Sequence, residues 1–247
     1  MQRLYSDLAW LWQVVSPPSN YEAEVDRLLG VIGERLGRES GWSVLELGAG
    51  GGNSLVHLRR LASRLVAVDL SEPMLANCRE LFGGEGVETV LGDMREVRLG
   101  ERFDVVLLHD AVDYMTSSAD AAAAMQTVAA HLAPGGVALV APTYTRETFV
   151  DGEVADDWVE EGSGLAVTFF SYVHDPEPGD ETFEMILLYL IRDAETRRVE
   201  VVEDRHVCGI FSADQWLGWM RDAGLLAEVV EQRGEGAWTL MVGGHAG

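Results

Sequence analysis

The chain has 247 residues, 47% of them hydrophobic, and a formal charge of −23 at neutral pH. That length suits one large domain, or one domain with an elaboration, and that apolar content suffices for a full core. The acidic charge repels phosphate backbones and argues against nucleic-acid binding, the strand-length apolar runs argue against a membrane span, and two cysteines far apart, Cys78 and Cys208, suit buried thiols in a reducing cytoplasm.

Met1 to Trp12 lacks the basic start and small-residue cleavage site of a signal peptide. Tyr5 to Trp12 is rich in aromatics and ends at Pro17-Pro18, which reads as a short helix or lid followed by a break. Asn20 is placed to cap a helix over Tyr21–Gly37, where Val25, Leu28, Leu29, Ile32 and Leu36 recur at helical spacing. Strands and helices then alternate. Strands are expected at Ser43–Leu47, Leu65–Asp69, Val87–Leu91, Phe103–Leu108 and Val137–Ala141. Helices are expected at Asn53–Ser63, Pro73–Phe82 (capped by Ser71) and Ala119–His131. This alternation predicts a parallel sheet covered by helices on both faces.

The pattern changes after Pro142. Asp151–Gly164 is acidic and aperiodic and reads as a long loop. Strand-like runs follow at Leu165–Val173, Phe183–Arg192 and Arg198–His206, the first two separated by the turn Asp175–Asp180. Ser212 and Gln215 form a capping box for a last helix that stops near Gly224. Leu225–Glu231 and Trp238–Gly243 read as closing antiparallel strands.

The most informative stretch is Val44-Leu45-Glu46-Leu47-Gly48-Ala49-Gly50-Gly51-Gly52-Asn53. A strand runs into a glycine-rich turn and a helix, and the next strand ends in Asp69. Glycines let backbone approach a ligand closely, and an acid at the next strand tip suits ribose hydroxyls, so the run predicts a nucleoside-type cofactor. Three further features accompany it: Leu70-Ser71 and Met74 after Asp69, Gly92-Asp93-Met94 after the third strand, and Pro134-Gly135-Gly136 before the fifth. In order and spacing, residues 40–142 resemble the class I S-adenosylmethionine-dependent methyltransferases. The resemblance implies a doubly wound, mainly parallel seven-stranded Rossmann-like α/β sheet, with the antiparallel β layer as an insertion. It divides the chain into a helical cap (1–38), a cofactor-binding core (39–142 and 207–247) and an inserted acceptor-side layer (143–206).

The same resemblance implies roles for single residues. Gly48, Gly50 and Gly52 make room for the methionine part of S-adenosylmethionine, Glu46 meets its amino group, and Asp69 takes the ribose hydroxyls. Leu70 and Met74 flank the adenine, Asp93 accepts its amino group with the Met94 backbone nearby, and His109 contacts the methionine part. Met74 reads equally as core.

More narrowly, His109–Met115, Glu147–Gly152 and Asp204-Arg205-His206 through Phe211 resemble the nucleotide-sugar N,N-dimethyltransferases of antibiotic biosynthesis. The chain departs from that family at the aromatic N-terminal motif (Ser6–Trp10), at Asp113-Tyr114, and at Thr143-Tyr144, where the family has paired tryptophans.

The acceptor is expected beyond the ends of strands four and five, near His109, Asp110, Asp113, Tyr114, Tyr144 and Arg146. Asp113 and Tyr114 are the candidates for orienting or deprotonating it; both also read as cap or solvent-facing residues. His174 and His206 read first as strand histidines. No His/Cys/carboxylate grouping has metal-ligand spacing. A diphosphate-bearing acceptor needs cations, for which the second half offers Arg146, Arg192, Arg197, Arg198 and Arg205. The expected activity is methyl transfer to nitrogen or oxygen of a small molecule, an amino sugar among the candidates. Other acceptors (a carboxylic acid, an amine, a protein side chain) and a non-catalytic cofactor-binding module are the alternatives. The sequence leaves monomer and homodimer equally open.

Overall fold

A computed structural model of the chain describes residues 2–160, 165–193, 195–230 and 239–245. Seven strands form the main sheet: β1 Trp42–Leu47, β2 Ala62–Asp69, β3 Glu88–Leu91, β4 Phe103–His109, β5 Leu132–Ala141, β10 Leu225–Val230 and β11 Leu240–His245. Their order is β10-β11-β5-β4-β1-β2-β3, parallel except for β11. Four strands form a second, antiparallel sheet: β6 Val154–Glu160, β7 Leu165–His174, β8 Thr182–Asp193 and β9 Val199–Gly209. The expected fold class, a doubly wound sheet with an antiparallel insertion, is the one observed.

The helices follow from apolar periodicity. Helix α1 is a single turn, Trp12–Val15; α2 is Glu22–Leu36, α3 Leu55–Leu58, α4 Glu72–Leu81, α5 Ser118–His131 and α6 Ala213–Asp222. Val25, Leu28 and Ile32 of α2, with Leu55, Leu58, Leu75 and Cys78, cover one face of the sheet. Helices α5 and α6 cover the other through Met125, Val128, Trp216 and Met220. The Ser212–Gln215 capping box starts α6 and Ser71 caps α4, both as expected.

Some local expectations fail for identifiable reasons. Asn20 does not cap α2: Pro17-Pro18 starts a 3-10 turn over Pro18–Tyr21, which runs straight into the helix. The helix expected over Asn53–Ser63 is one turn long, because the residues after Leu61 pair with β1, Ala62 facing Trp42 and Arg64 facing Ser43. The segment read as a long loop contains β6, an edge strand paired to β7 along its length. Edge strands tolerate charged residues such as Asp156 and Asp157, which hide the strand pattern in the sequence. Residues 161–164 of that segment, and Glu231 and Trp238 of the expected closing strands, lie outside the described residues.

The N-terminal segment sits between the two sheets. Leu4, Leu8, Leu11 and Val14 pack with Val167, Leu187, Tyr189 and Val202 of the antiparallel sheet. Its polar atoms are tied to the main sheet: Asn77 Nδ2 donates to Ala9 O at 2.7 Å and Ser71 Oγ donates to Tyr5 O at 2.5 Å. This places a roof over the carboxyl ends of the parallel strands.

Candidate active site

A cavity of about 770 Å³ lies between the strand ends and the roof, within the usual range for small-molecule sites. Its floor is the glycine turn. Gly48 has φ +76° and Gly50 φ +52°, both left-handed. A side chain on Gly48 would collide with Ala111 and come within 2.8 Å of Met94 Cε. Glycine is therefore required there twice over, by conformation and by space.

Asp69 closes one side. Its carboxylate accepts the Gly50 N–H on one oxygen and the Ser71 N–H on the other, each at 2.8 Å. Burial raises its pKa while those backbone bonds pull it down. The carboxylate is thereby locked in orientation at the tip of β2.

Glu46, His109, Glu24 and Asp110 form the charged end. His109 Nε2 lies 2.9 Å from Glu24 Oε1 and 3.3 Å from Asp110 Oδ1. Burial pushes the imidazole pKa down, but Asp110, Glu24 and Glu46 together outweigh it and hold the group up at about 9. Burial pushes the Glu46 carboxyl up to about 8. Glu46 Oε2 is buried and has no partner within the protein.

The roof contributes Tyr5, Trp12, Tyr21, Phe169, Met185 and His206. The Trp12 indole Nε1, like Glu46 Oε2, is buried without a partner. Asn53 is buried at 2% exposure. It donates to Ser16 O and accepts from Gln13 Nε2 at 3.0 Å, pinning the N-terminal segment to the glycine turn.

The acceptor end is built on the 3-10 turn Ala111–Tyr114 that follows β4. Asp113 is buried at 4% exposure, and the Thr143 N–H donates to both its oxygens, at 3.3 and 3.2 Å. Burial pushes its pKa well up, against the pull of Thr143. The Tyr114 hydroxyl lies 2.7 Å from His206 Nδ1 and 2.7 Å from the Tyr5 hydroxyl.

Of the residues singled out in the sequence, Glu46, Gly48, Gly50, Asp69, Leu70, Met94, His109, Asp113 and Tyr114 line this one cavity. Gly52, Met74 and Asp93 are not on its wall. Met74 is fully buried beneath the turn, and its Cε would lie 3.4 Å from a Cβ on Gly50. A Cβ on Gly52 would sit 2.6 Å from Cys78 Sγ, so that glycine lets α4 pack close. The Asp93 carboxylate is held by Arg95 Nε at 3.0 Å and by the Arg95 N–H at 2.8 Å, and Arg95 takes its place on the wall. Trp10 is half-exposed and outside the cavity. His174 is also outside, 3.4 Å from Glu184.

Tyr5, Asn53 and Asp204 stand in stretches the sequence singles out but carry no individual role there, and Glu24 stands in none. Glu24 lies on the polar side of an amphipathic helix and looks like any solvent-facing acid. Tyr5 reaches the site from the N-terminal segment laid between the sheets, and Asp204 from β9 of the second sheet.

The wall is rich in carboxyl groups. Glu46, Asp69, Asp110 and Asp113 line it. All 18 basic residues of the chain are arginines. Among the described residues Arg95 is the one arginine on the wall, and it is paired with Asp93 at 2.5 Å and Asp120 at 2.9 Å. Arg146, Arg192, Arg197, Arg198 and Arg205 do not line the cavity; Arg146 donates to Asp180 O, and Arg205 pairs with Glu203 and Glu184.

Residues 44–136 match a methyltransferase domain family. The chain is 30% identical over 213 residues to the dTDP-3-amino-3,4,6-trideoxy-α-D-glucopyranose N,N-dimethyltransferase of Streptomyces venezuelae, with 86% of each chain covered. Its structure is similar to that of DesVI from Streptomyces venezuelae, with a TM-score of 0.81, 29% identity, and 97% and 96% of the two chains covered. It is also similar to S-adenosylmethionine-bound CalS10, an amino pentose methyltransferase from Micromonospora echinaspora involved in calicheamicin biosynthesis, with a TM-score of 0.78, 27% identity and 92% of each chain covered. Fold and match together define an S-adenosylmethionine-dependent methyltransferase of the Rossmann-like class. Within that class, the chain belongs to the nucleotide-sugar N,N-dimethyltransferases of antibiotic biosynthesis.

The cavity's chemistry suits this cofactor. A buried carboxylate oxygen without a partner (Glu46) and a buried N–H without one (Trp12) match the ammonium and carboxylate of a methionine head. A positive sulfonium nearby also pulls the raised wall carboxyls toward their charged form.

Proposed function

We propose that this chain methylates the amino nitrogen of an amino sugar. The observation that carries the reading is the set of four carboxyl groups on the wall, Glu46, Asp69, Asp110 and Asp113, with Arg95, the one arginine on the wall among the described residues, already paired. A positively charged amine pulls such carboxyls toward their charged form and is held by them, which a neutral hydroxyl cannot do.

Bound S-adenosylmethionine supplies an electrophilic methyl group on its sulfonium. In this reading Glu46 takes the cofactor's ammonium, Asp69 its ribose hydroxyls, Gly48 and Gly50 admit its backbone-hugging part, and Leu70, Met94 and Arg95 border the adenine. His109, held by Glu24 and Asp110, orients the methionine end. Asp113 and Tyr114 orient the incoming amine, and the roof excludes water while the nucleophile is aligned in line with the bond to be broken. An amine attacks as the free base, so a proton must leave first. The chain works in the cytoplasm, and its acidic surface keeps it off nucleic acid.

A second reading concerns the handle on the sugar. The five arginines expected to hold a diphosphate do not reach the cavity, which favours an amino sugar presented without one. One experiment separates these. The protein is incubated with labelled S-adenosylmethionine and, in parallel, with dTDP-3-amino-3,4,6-trideoxyglucose, the same sugar as its methyl glycoside, and the 3-hydroxy analogue of each. The proposal expects transfer to the two amines and none to the hydroxy compounds. Transfer to the hydroxy analogues in preference to the amines overturns it. Preference for the methyl glycoside selects the second reading.

A further inference from the structure

A chain of four hydrogen bonds crosses from the antiparallel sheet to the acceptor end of the cavity. The Leu4 N–H donates to Asp204 Oδ2 at 2.7 Å, and His206 Nε2 lies 2.9 Å from that same oxygen. His206 Nδ1 lies 2.7 Å from the Tyr114 hydroxyl, which lies 2.7 Å from the Tyr5 hydroxyl. Asp204 and His206 are almost fully buried, and Tyr5, Tyr114 and His206 border the cavity.

The chain has a direction. Asp204 Oδ2 already accepts the Leu4 N–H, so it also acts as acceptor toward the imidazole, and the histidine hydrogen sits on Nε2. Nδ1 is then a lone pair. The Tyr114 hydroxyl donates to it, and the Tyr5 hydroxyl in turn donates to the Tyr114 oxygen. The Tyr5 oxygen is then the last acceptor of the series, and Tyr5 borders the cavity.

We propose that Tyr5, Tyr114 and His206 form a proton relay that takes the ammonium proton of the acceptor, with Asp204 as the positioning residue that sets its direction. This rests on the amine reading above. An N–H bond of the bound ammonium breaks and its proton goes to the Tyr5 oxygen. The Tyr5 proton moves to the Tyr114 oxygen, and the Tyr114 proton moves to Nδ1. Each tyrosine gains one proton and loses one. The electron pair left on the acceptor nitrogen is the nucleophile, and the positive charge ends as an imidazolium beside Asp204. This is the logic of a base oriented by a third group, here with two phenols inserted.

The surroundings agree with these roles. Burial lowers the His206 pKa, with Asp204 opposing, so the resting imidazole is neutral and able to accept a proton. Burial raises both tyrosines well above their usual range, so each keeps a proton to pass on. The titratable neighbours are Asp204 on the same strand as His206, Cys208, which acts on both tyrosines, Asp113, which acts on Tyr114, and Tyr21 and Tyr189, which act on Tyr5. The Asp204 charge in turn raises the pKa values of Arg3 and Tyr189.

Two measurements test this. The first needs no acceptor. In the full chain with labelled histidine, nitrogen chemical shifts should show neutral His206 with its proton on Nε2, and Asp204→Asn should shift that balance toward Nδ1. A resting proton on Nδ1 in the unaltered protein reverses the relay and overturns the proposal. The second uses the dTDP-linked amino sugar, or whichever of the amines tested above turns over. His206→Gln and Tyr114→Phe should each lower the transfer rate at neutral pH by about a hundredfold, the usual scale of general-base catalysis. The loss should shrink as pH rises, because the amine then arrives already deprotonated. Cofactor affinity should stay within about threefold. A loss of equal size at every pH means a structural role and overturns the relay. If no amine turns over, the amine reading fails on its own account, while the tautomer measurement still judges the relay.

Discussion

Asp69 carries two kinds of work, and its substitution separates them. Its oxygens hold the Gly50 and Ser71 backbones at 2.8 Å. Removing both acceptors leaves two buried donors unsatisfied, at about 1–3 kcal/mol each. Asp69→Ala should therefore lower the melting temperature as well as cofactor affinity. Asp69→Asn keeps one carbonyl acceptor. We expect it to fold and to bind S-adenosylmethionine at least about tenfold more weakly, ~1.4 kcal/mol. Unchanged affinity by calorimetry in the folded Asn variant removes the ribose role. Glu46 gives a pH test. Burial raises its pKa from 4.5 unfolded to about 8 folded. The folded state then binds the proton more tightly, so the stabilisation is full below the unfolded value and is lost as pH rises through about 8. Melting curves of the cofactor-free protein across that window should fall with pH. His109, raised to about 9, adds a fall in the same direction. Glu46→Gln should flatten the curve; an unaltered slope in that variant assigns the whole dependence elsewhere.

At the scale of elements, the site depends on how the N-terminal segment is fastened. Asn53 joins the glycine turn to Ser16 and Gln13, and Ser71 joins the start of α4 to Tyr5. Asn53→Ala removes both bonds at the turn while leaving the apolar packing of Leu4, Leu8 and Leu11 in place. Amide exchange should quicken over residues 12–16, and cofactor affinity should fall several-fold, with the parallel strands as protected as before. Equal loss of protection throughout the sheet contradicts this local role. Helix α6 offers a contrasting case. Its capping box lies away from the cavity. Ser212→Ala should cost about 1 kcal/mol of stability and leave cofactor affinity unchanged.

For the whole molecule, charge is the dominant variable. A net charge of −23 makes self-repulsion a standing cost of compactness. The surface ion pairs, such as Arg3 with Asp7 and Arg64 with Glu88, are largely exposed, and such pairs contribute little. Salt shortens the screening length from about 10 Å at 0.1 M to about 3 Å at 1 M. The melting temperature should therefore rise as sodium chloride is added. A fall would mean that the exposed pairs outweigh the repulsion.

What the residues alone made legible was everything with a short sequence period or a local backbone demand. Helical spacing exposed α2, the Ser71 cap α4 and the Ser212–Gln215 capping box α6, alternating strands and helices implied α5 and the doubly wound sheet, and the Gly48–Gly52 turn with Asp69 marked the cofactor end. These signals survive in one dimension because each arises within a turn or a few strand residues. The edge strand β6 did not, since its stability comes from a ladder with β7 rather than from its own residue types. Met74, Gly52 and Asp93 carried family roles in the motif yet stand off the wall, because packing under the turn and the grip of Arg95 decide where those side chains go. The acceptor end was least legible. Tyr114 and His206 are 92 residues apart, Leu4 and Asp204 are 200 apart, and no local spacing links them. Laying the N-terminal segment between two sheets brings those groups within hydrogen-bond reach, and burial then sets their protonation, so the tertiary structure alone determines that part of the chemistry.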